Sequence, residues 1–452
     1  MKIIVVGCGK IGTKVLSSLV KEGHDVVAMD KDPEVIDEIT NIYDAIGVCG
    51  NGADCETLEE AGIADTELFV AVTESDELNM LSCFLAKRMG AKYTIARIRN
   101  PEYNDASLGF MRHHLDLSMS LNPDIMVARR LFHVLRLPTA AKVETFAGGR
   151  FEIVEILLKQ NTAVDGMSLI QLRKKYSEKF LVCAVQREDR VYVPDGNFVL
   201  HSGDRIALTA SPSEIHKLLK HLGILKKQAR NVMILGASRI SFYLAKMLIL
   251  SGNNVKIVDK NKQRCEEFAE KLPGADIIYG DGAKREVLLQ EGLRSTDAFV
   301  ALTGMDEENI LISYYATSLN VPKVIAKINR DEFISMAEKL GVECLISPQR
   351  TVSDMIVRYA RALKNSMDSS VEKLYKLMDD NAEALEFVAK ADCELLNIPL
   401  KELELKRNVL VAGIVRGRKI VIPDGDDAIM EGDRVIILAA GRRVDNLSDI
   451  AE

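Results

Sequence analysis

Three glycines near the start of the chain have a spacing that suits the binding of a diphosphate. Gly7, Gly9 and Gly12 follow the apolar run at residues 3–6 and precede a predicted helix. In dinucleotide-binding proteins the first such glycine permits a tight turn, the second lets the backbone approach a pyrophosphate, and the third allows close packing of helix on strand. The N–H groups that begin the helix attract the phosphates. The predicted phosphate loop consists of Gly7, Cys8, Gly9, Lys10, Ile11 and Gly12.

An acidic residue stands where this pattern requires one. Asp30 ends the next predicted strand, 18 residues after Gly12, and its carboxylate is suited to accept hydrogen bonds from ribose hydroxyls. It would also repel a 2′-phosphate, which favours NAD over NADP, although the adjacent Lys31 weakens that preference. We therefore expect NAD or NADH in the first half of the chain. The alternative is a glycine turn that holds no ligand.

Polar residues follow the fourth and fifth predicted strands. The stretch Thr-x-x-Asp-Glu-x-Asn begins at Thr73, and Arg97 and Arg99 end the fifth strand. Ligands of doubly wound sheets bind at this carboxyl edge, so Thr73 and the arginines are candidates to contact a diphosphate. Two alternatives stay open: the stretch only caps the following helix, and the arginines are solvated or ion-paired at the surface.

The chain contains the same unit twice. Gly236 and Asp259 repeat Gly7 and Asp30 at an offset of 229 residues, and the Thr-x-x-Asp-Glu-x-Asn stretch returns at Thr303. Pro-Asp-Gly and Gly-Asp-Arg triplets also recur near the end of each half. A unit of roughly 225 residues has been duplicated, so whatever the unit does, the molecule does in pairs.

The second copy of the glycine pattern is incomplete. Ser238 and Ser241 replace its second and third glycines, and Lys327 and Asn329 replace the two arginines. A Cβ atom at Ser238 would crowd a pyrophosphate, and each change near the strand end weakens a partner for it. We predict that the second site binds a dinucleotide more weakly, prefers a smaller adenine nucleotide such as ATP or ADP, or stands empty.

Composition narrows the class of protein. The formal net charge of −7 argues against nucleic-acid binding, because neutralising phosphates needs a basic surface. No apolar run reaches the roughly 18 residues that span a bilayer. The eight cysteines are scattered without a Cys-x-x-Cys pair, which indicates neither a disulfide framework nor a metal site and favours a reducing cytosol.

No residue pattern points to catalysis. All seven histidines lie in the first half, and no histidine, lysine or cysteine recurs in a motif that could supply a general base or nucleophile. A dehydrogenase would also need a substrate domain with a catalytic acid or base. We predict a nucleotide sensor and no enzyme. A soluble NAD-dependent oxidoreductase and a free-standing nucleotide or redox sensor remain the alternatives.

Strands and helices alternate along the first 138 residues and again after residue 226, which predicts parallel sheets with helices on both faces. Helices are expected from Pro123 and Pro348, and Ser168 and Gln171 form a capping box in the segment that follows the first. The predicted fold is α/β: two tandem Rossmann-like doubly wound domains, each followed by a small α+β module. The predicted domains are 1–138, 139–225, 226–366 and 367–452.

This plan resembles the tandem RCK family, also called KTN, of potassium-transport regulators. The resemblance covers essentially the whole chain. The segments that carry it are residues 1–9, Val70-Ala71-Val72-Thr73 with Asp76, Glu77 and Asn79, Ile95-Ala96-Arg97-Ile98-Arg99, Pro194-Asp195-Gly196 and Gly203-Asp204-Arg205. What it implies is a cytoplasmic regulatory subunit that lies peripherally on the inner face of the membrane. Its partner would be the membrane-embedded potassium-translocating Trk subunit.

The resemblance also implies site residues and an assembly. Gly7, Gly9, Gly12 and Asp30 would contact the nucleotide first. A second group comprises Asn51, Gly52 and Ala53 near the adenine, with Thr73 and Arg97; Gly236 and Asp259 would mark the second site. Four subunits would form a ring whose shape changes with NAD(H) or, in related regulators, ATP or ADP. The apolar faces of the two helices after Pro123 and Pro348 favour the same homo-oligomer, most simply a tetramer.

Overall fold

A computed structural model describes the chain from residue 1 to residue 451, except for residues 102, 104, 137–141, 159–161, 189, 223–228, 343, 366–370 and 379–380. The predicted domain joints at 138/139, 225/226 and 366/367 lie outside the described residues. Among the described helices, none is long and apolar enough to cross a membrane.

The first nucleotide-type domain is a six-stranded parallel sheet with helices on both faces. Its strands are β1 (Lys2–Val6), β2 (Asp25–Asp30), β3 (Ile46–Cys49), β4 (Leu68–Ala71), β5 (Tyr93–Arg97) and β6 (Met119–Leu121). Its helices are α1 (Lys10–Lys21), α2 (Pro33–Ile42), α3 (Cys55–Glu60), α4 (Asp76–Arg88) and α5 (Asp105–His114). The strand order 3-2-1-4-5-6 reverses between β1 and β4, which opens a crevice at their carboxyl ends.

A crossover helix and a small antiparallel module complete the first half. They comprise α6 (Pro123–Arg136), β7 (Lys142–Phe146), β8 (Phe151–Leu157), α7 (Leu169–Lys175), β9 (Phe180–Arg187), β10 (Arg190–Tyr192), β11 (Arg205–Ala210) and α8 (Pro212–His221). The sheet order is 10-9-11-8-7. The predicted capping box is present, because Ser168 accepts from the N–H of Gln171 and the Gln171 side chain accepts from the N–H of Ser168.

The second half repeats this arrangement. Its nucleotide-type domain contains β12 (Asn231–Leu235), α9 (Arg239–Leu250), β13 (Asn254–Asp259), α10 (Lys262–Lys271), β14 (Ala275–Tyr279), α11 (Arg285–Gln290), β15 (Ala298–Ala301), α12 (Asp306–Ser318), β16 (Lys323–Lys327), α13 (Glu332–Lys339) and β17 (Cys344–Ile346). Then follow α14 (Pro348–Asn365), β18 (Val371–Leu377), β19 (Ala382–Val388), β20 (Val409–Arg416), β21 (Lys419–Val421) and β22 (Arg434–Ala440). The predicted fold class, two tandem Rossmann-like domains each followed by a small α+β module, is therefore confirmed.

The two halves exchange their crossover helices. Val127 and Leu131 of α6 are buried in the core of the second nucleotide-type domain, where they share a cluster with Leu244 of α9. In the reverse direction, Ile356 and Val357 of α14 are buried in the core of the first domain. The apolar faces on which an oligomer was predicted are thus covered within one chain, so they no longer support that prediction.

The two small modules also pack on each other. Phe151 of the first module fills the space beside Gly413 of the second, where an added Cβ atom would lie 2.2 Å from its ring. Two buried carboxylates reach across reciprocally. Glu155 accepts from the N–H of Met378, and Glu386 accepts from the N–H of Ala147, each at 3.1 Å. Both donors have positive φ angles, so each buried carboxylate stabilises an unfavourable turn of the other half.

Candidate nucleotide site

The glycine loop of the first domain is shaped by close backbone packing. Gly7 has a φ of +90°, and a Cβ atom there would lie 2.7 Å from the Thr73 nitrogen. A Cβ atom at Gly12 would lie 1.8 Å from the Gly7 oxygen, so α1 can lie this close to β1 only with glycine at position 12. Lys10 is exposed at the start of α1, while Ile11 packs partly against the core and offers its backbone N–H.

Gly9 leaves the start of α1 open. A Cβ atom at Gly9 would meet no described atom within 4 Å. Gly9 occupies the N-cap position, and α1 has no side-chain cap among the described residues. The first N–H groups of a helix need partners, so this end of α1 presents donors towards free space. That arrangement suits an anionic ligand.

Asp30 holds the loop in place. Its Oδ2 accepts from the N–H of Cys8 at 2.7 Å, and its Oδ1 accepts from the N–H of Asp32 at 3.1 Å. Each carboxylate oxygen keeps a second acceptor position for a ribose hydroxyl. Asp259 makes the same two kinds of bond in the second half, to the N–H groups of Ala237 and Asn261. Sequence reasoning assigned Asp30 to the ribose and missed this role in the loop.

The loop predicted to lie near the adenine runs beside Asp30. The Gly50 nitrogen donates to the Asp30 carbonyl at 2.8 Å. Asn51 closes the turn through its side-chain oxygen, which accepts from the N–H of Ala53 at 3.1 Å. A Cβ atom at Gly52 would lie 2.4 Å from the Val6 side chain, so this residue lies directly on β1. The structure therefore brings residues 51–53 to the same edge as the phosphate loop.

The duplicated polar stretch ties two strand ends together. The buried Asn79 accepts from the nitrogen and the hydroxyl of Thr73 at 2.8 and 2.7 Å, and it donates to the Arg97 carbonyl at 2.9 Å. Ser75 caps α4, because its hydroxyl accepts from the N–H of Leu78 at 3.1 Å. Thr73 is thus positioned by Asn79, which sequence reasoning did not select as a site residue. The signal was its recurrence as Asn309, which makes the same bonds to Thr303.

Arg97 is a buried cation with an unused donor. It is 6% exposed, its Nη1 donates to the Thr73 carbonyl at 2.5 Å, and its Nε has no hydrogen-bond partner among the described atoms. Burial, followed by the nearby charge of Arg99, lowers the pKa of Arg97 from its ordinary value. An unpaired buried donor costs free energy, and an anion beside β5 would remove that cost.

Arg99 has a different role. Its Nε and Nη2 donate to the two carboxylate oxygens of Asp124, at the start of α6, at 2.8 and 3.2 Å. Asp76 fixes its backbone by accepting from the N–H of Arg99 at 2.8 Å. Of the two alternatives that the sequence left open for this arginine, the ion-paired one is correct.

The cysteine of the phosphate loop is not a reactive thiol. Cys8 is buried between β1 and β2, and burial, with the charge of Asp30 next, raises the pKa of its thiol to about 12. The thiol therefore stays protonated at neutral pH and is a poor nucleophile. Within the described part of the chain, no group of three or more histidine, cysteine, aspartate or glutamate side chains could hold a metal ion.

The second domain has a cleft of about 570 Å³ at the equivalent edge, but its phosphate end is built differently. The Ser238 hydroxyl accepts from the N–H of Ser241 at 3.2 Å and so caps α9, and the Ser241 hydroxyl donates to the Gly236 carbonyl at 2.5 Å. The cleft is lined by Gly236, Ser238, Asp259, Gly282, Thr303 and Lys327, among others. Ser238 therefore fills the space that stays open beside Gly9, and Ser241 takes the position at which Gly12 packs against the Gly7 oxygen.

Comparison with protein families matches two domain models to the chain, each of them twice. The TrkA-N domain model matches residues 3–109 and 232–348, and the TrkA-C domain model matches residues 153–223 and 384–451. The chain belongs to the TrkA family. The resemblance inferred from the sequence is thereby confirmed, as is the prediction of a regulatory protein and not an enzyme.

Relatives match along the whole chain. A protein of Archaeoglobus fulgidus named Trk system potassium uptake protein TrkA homolog is 29% identical over 450 residues, which cover 100% of both chains. The Haemophilus influenzae protein named Trk system potassium uptake protein TrkA is 28% identical, covering 98% of this chain and 96% of its own.

Solved structures share the fold. The GsuK RCK domain superposes with a TM-score of 0.63 at 15% identity, covering 97% of this chain and 92% of that one. A structure described as the GsuK channel bound to NAD gives a TM-score of 0.62 at 16% identity, over 97% of this chain and 76% of that one. These likenesses establish the tandem RCK fold of the protein.

Proposed function

We propose that the protein is the nucleotide-sensing regulatory subunit of a potassium uptake system and binds NAD or NADH in its first domain. The observation that carries the proposal is the Nε of buried Arg97, which has no partner among the described atoms and lies at the same carboxyl edge of the sheet as the uncapped start of α1. Among the residues that the structure describes, two independent sets of donors thus lack an acceptor at one edge of the sheet. A diphosphate supplies such an acceptor with two negative charges.

The residues of the first cleft would divide the nucleotide between them. The N–H groups after Gly9 and the guanidinium of Arg97 would hold the diphosphate, which supplies negative charge when bound. Asp30 would accept from the ribose, and residues 51–53 would lie along the adenine. Thr73 would contribute to the edge that Asn79 holds. This division uses binding alone and needs no proton transfer by the protein.

The proposed role in potassium uptake rests on the relatives, which are named Trk system potassium uptake proteins. We infer that this chain acts on a membrane-embedded, potassium-translocating Trk subunit from the cytoplasmic side. Moving a gate from 1:99 to 99:1 takes about 5.5 kcal/mol of differential binding. Spread over four nucleotide sites this is about 1.4 kcal/mol each, a tenfold preference per site.

A homo-oligomer, most simply a tetramer, would gather those sites. The crossover helices are buried within one chain and do not support an oligomer, but exposed apolar side chains elsewhere do. Leu81 of α4 is 49% exposed, and on α12 Leu311 and Tyr314 are 61% and 48% exposed. Leu81 and Leu311 occupy equivalent positions of the two halves, so an exposed apolar side chain recurs on both nucleotide-type domains. We infer that these exposed side chains take part in contacts between subunits.

The second cleft would take a smaller adenine nucleotide, such as ATP or ADP, or bind dinucleotide weakly. Lys327, which is 9% exposed, gives it a buried cation. Ser238 supplies a hydroxyl where the first cleft has open space beside Gly9.

Co-purification with the membrane subunit tests the role directly. Full-length protein should bind vesicles that contain the potassium-translocating subunit, and NADH or ATP should change potassium flux through them. The second candidate function, a free-standing nucleotide sensor, shares every feature of the first cleft. It would bind NADH equally well but leave flux unchanged, and that result would overturn the potassium role while keeping the nucleotide site.

A further inference from the structure

One carboxylate joins the two nucleotide-type domains. Asp331, between β16 and α13, accepts from Lys14 Nζ of α1 at 2.5 Å and from Arg350 Nε of α14 at 2.9 Å. Burial raises the pKa of Asp331, but the hydrogen bonds from Lys14 and Arg350 lower it by a larger amount. The pKa of Asp331 therefore lies below its ordinary value. At neutral pH the group is therefore a carboxylate that links three helices.

Lys14 belongs to the helix that begins at the phosphate loop. It lies one turn after Lys10, and its carbonyl accepts from the Ser353 hydroxyl of α14 at 3.3 Å. Thr13, its neighbour, donates its hydroxyl to the Cys8 carbonyl at 2.7 Å and so fixes α1 to the loop. A ligand that seats the start of α1 will therefore set the position of Lys14.

Asp331 in turn adjoins the edge of the second cleft. The two residues before it donate their backbone N–H groups to Asp306, Asn329 at 3.0 Å and Arg330 at 2.9 Å. Asp306 begins α12, and the neighbouring residues Met305 and Glu308 line the second cleft. Short contacts thus run from the phosphate loop of the first domain to the cleft of the second.

The duplicated half provides a comparison. Tyr243 stands at the position of Lys14, and Pro101 stands at the position of Asp331. Tyr243 hydrogen-bonds the side chain of Asn122, so the packing of α9 needs no ionic link. At this position of α9 the described contact is thus a hydrogen bond and not an ion pair. The charged link from α1 therefore has no counterpart at the equivalent positions of the other half.

We propose that the Lys14–Asp331 pair is a positioning link that transmits nucleotide binding in the first cleft to the second nucleotide-type domain. The inference rests on the proposed function, because the first cleft must bind the nucleotide that moves α1. Coupling of this kind needs a physical element that both sites bias. The pair supplies that element, since it connects α1 with the segment that Asp306 anchors.

Hydrogen exchange on the full chain, with and without NADH, tests the link. In the wild type, NADH should slow exchange both in α1 and in residues 329–339. In Asp331→Asn and Lys14→Met, NADH should still slow α1, while its effect on residues 329–339 should fall about fivefold, the lower end of typical coupling factors. Lys14→Arg should restore the effect, because it keeps the ion pair.

A matched control removes a comparable ion pair off the route. Glu338→Gln breaks the contact of α13 with Arg205, at 3.3 Å, and should leave the NADH effect on both segments intact. Protection of α1 alone in the wild type would overturn the link and keep the proposed nucleotide site. Protection of both segments in Asp331→Asn would also overturn it. Protection of neither segment in the wild type would overturn the nucleotide site and, with it, the link.

Discussion

The two nucleotide-type domains share a frame and differ in what they offer a ligand. In both, an aspartate holds the glycine turn and an asparagine joins two strand ends through the same bonds. Where the first domain leaves the start of α1 open beside Gly9, the second caps α9 with Ser238. The frame is therefore maintained by side chains that bond the backbone, and the chemistry at the phosphate end varies without disturbing it.

The largest effect is expected from adding a side chain at Gly12, where α1 packs most closely against β1. Gly12→Val would place a Cβ atom 1.8 Å from the Gly7 oxygen, so α1 must move away from β1. Overpacking of this kind costs about 1–3 kcal/mol or more. We expect a lower melting temperature and loss of NADH binding, measured by calorimetry. Gly9→Ala, where the added Cβ atom meets open space, should keep the wild-type melting temperature; equal destabilisation by both would refute the packing argument.

A second comparison concerns the contacts at the ends of α1 and α9. Arg361 of α14 donates to Glu22, just after α1, at 2.7 and 2.6 Å and also binds Glu383. Ser251 occupies the corresponding place after α9. Glu22→Gln leaves a buried charge without one partner and should lower the free energy of unfolding by about 3 kcal/mol. Ser251→Ala should change it little.

The sign of the pH dependence follows from Glu22. Burial raises its pKa, but the hydrogen bond and charge of Arg361, together with the charges of Arg443 and Lys376, lower it by more, below the ordinary value of 4.5. The stabilisation is therefore complete above the pKa of the unfolded chain and is lost as pH falls through the folded value. Denaturant unfolding should show a wild-type advantage over Glu22→Gln at pH 7 that shrinks under acid conditions; an advantage that grows in acid would contradict the account.

The next largest effect, on the affinity for NADH, is expected at the proposed ribose contact of Asp30. Asp30→Ala removes the acceptor of the Cys8 N–H as well as the proposed acceptor for the ribose. Hydrogen bonds to a charged group contribute about 1.5–3 kcal/mol. The free energy of NADH binding, measured by isothermal titration, should therefore weaken by about 1.5–3 kcal/mol. Asp259→Ala, which alters the matching bond in the second domain, is the control and should leave the first site unchanged. Unchanged affinity in Asp30→Ala would remove Asp30 from the nucleotide site.

The smallest of these effects tests the asymmetry itself. Gly9→Ser copies Ser238 into the first domain, where its hydroxyl can cap α1 and its Cβ atom takes up space meant for the diphosphate. We expect about tenfold weaker NADH binding, roughly 1.4 kcal/mol, with the melting temperature unchanged. Full affinity in this variant would show that the glycine losses in the second half do not limit binding there.

Much of the fold could be predicted from the sequence because its signals are local. The glycine loop before a helix, the uninterrupted apolar strands and the capping box of Ser168 and Gln171 each act within a few residues. The repeat then doubled the apolar strands, while the glycine loop returned in an incomplete form. Local patterns of this kind are the ones that sequence reasoning reads most reliably.

The features that the sequence did not reveal depend on partners far along the chain. The apolar faces of α6 and α14 look unpartnered until the opposite half is placed against them. The sequence gives no reason to distinguish Arg97 from Arg99. The fold shows that Asp124 forms its ion pair with Arg99 and not with Arg97. The loop-holding bond of Asp30 was missed for the same reason, since it joins residues on separate strands.

The central claim is that the first domain, with Arg97, holds the high-affinity dinucleotide site. Calorimetric titration of full-length protein with NADH, in the wild type and in the matched variants Arg97→Met and Lys327→Met, tests it most directly. The account predicts one tight NADH per chain, lost in Arg97→Met and retained in Lys327→Met. Two equal sites per chain, or equal losses in the two variants, would contradict it.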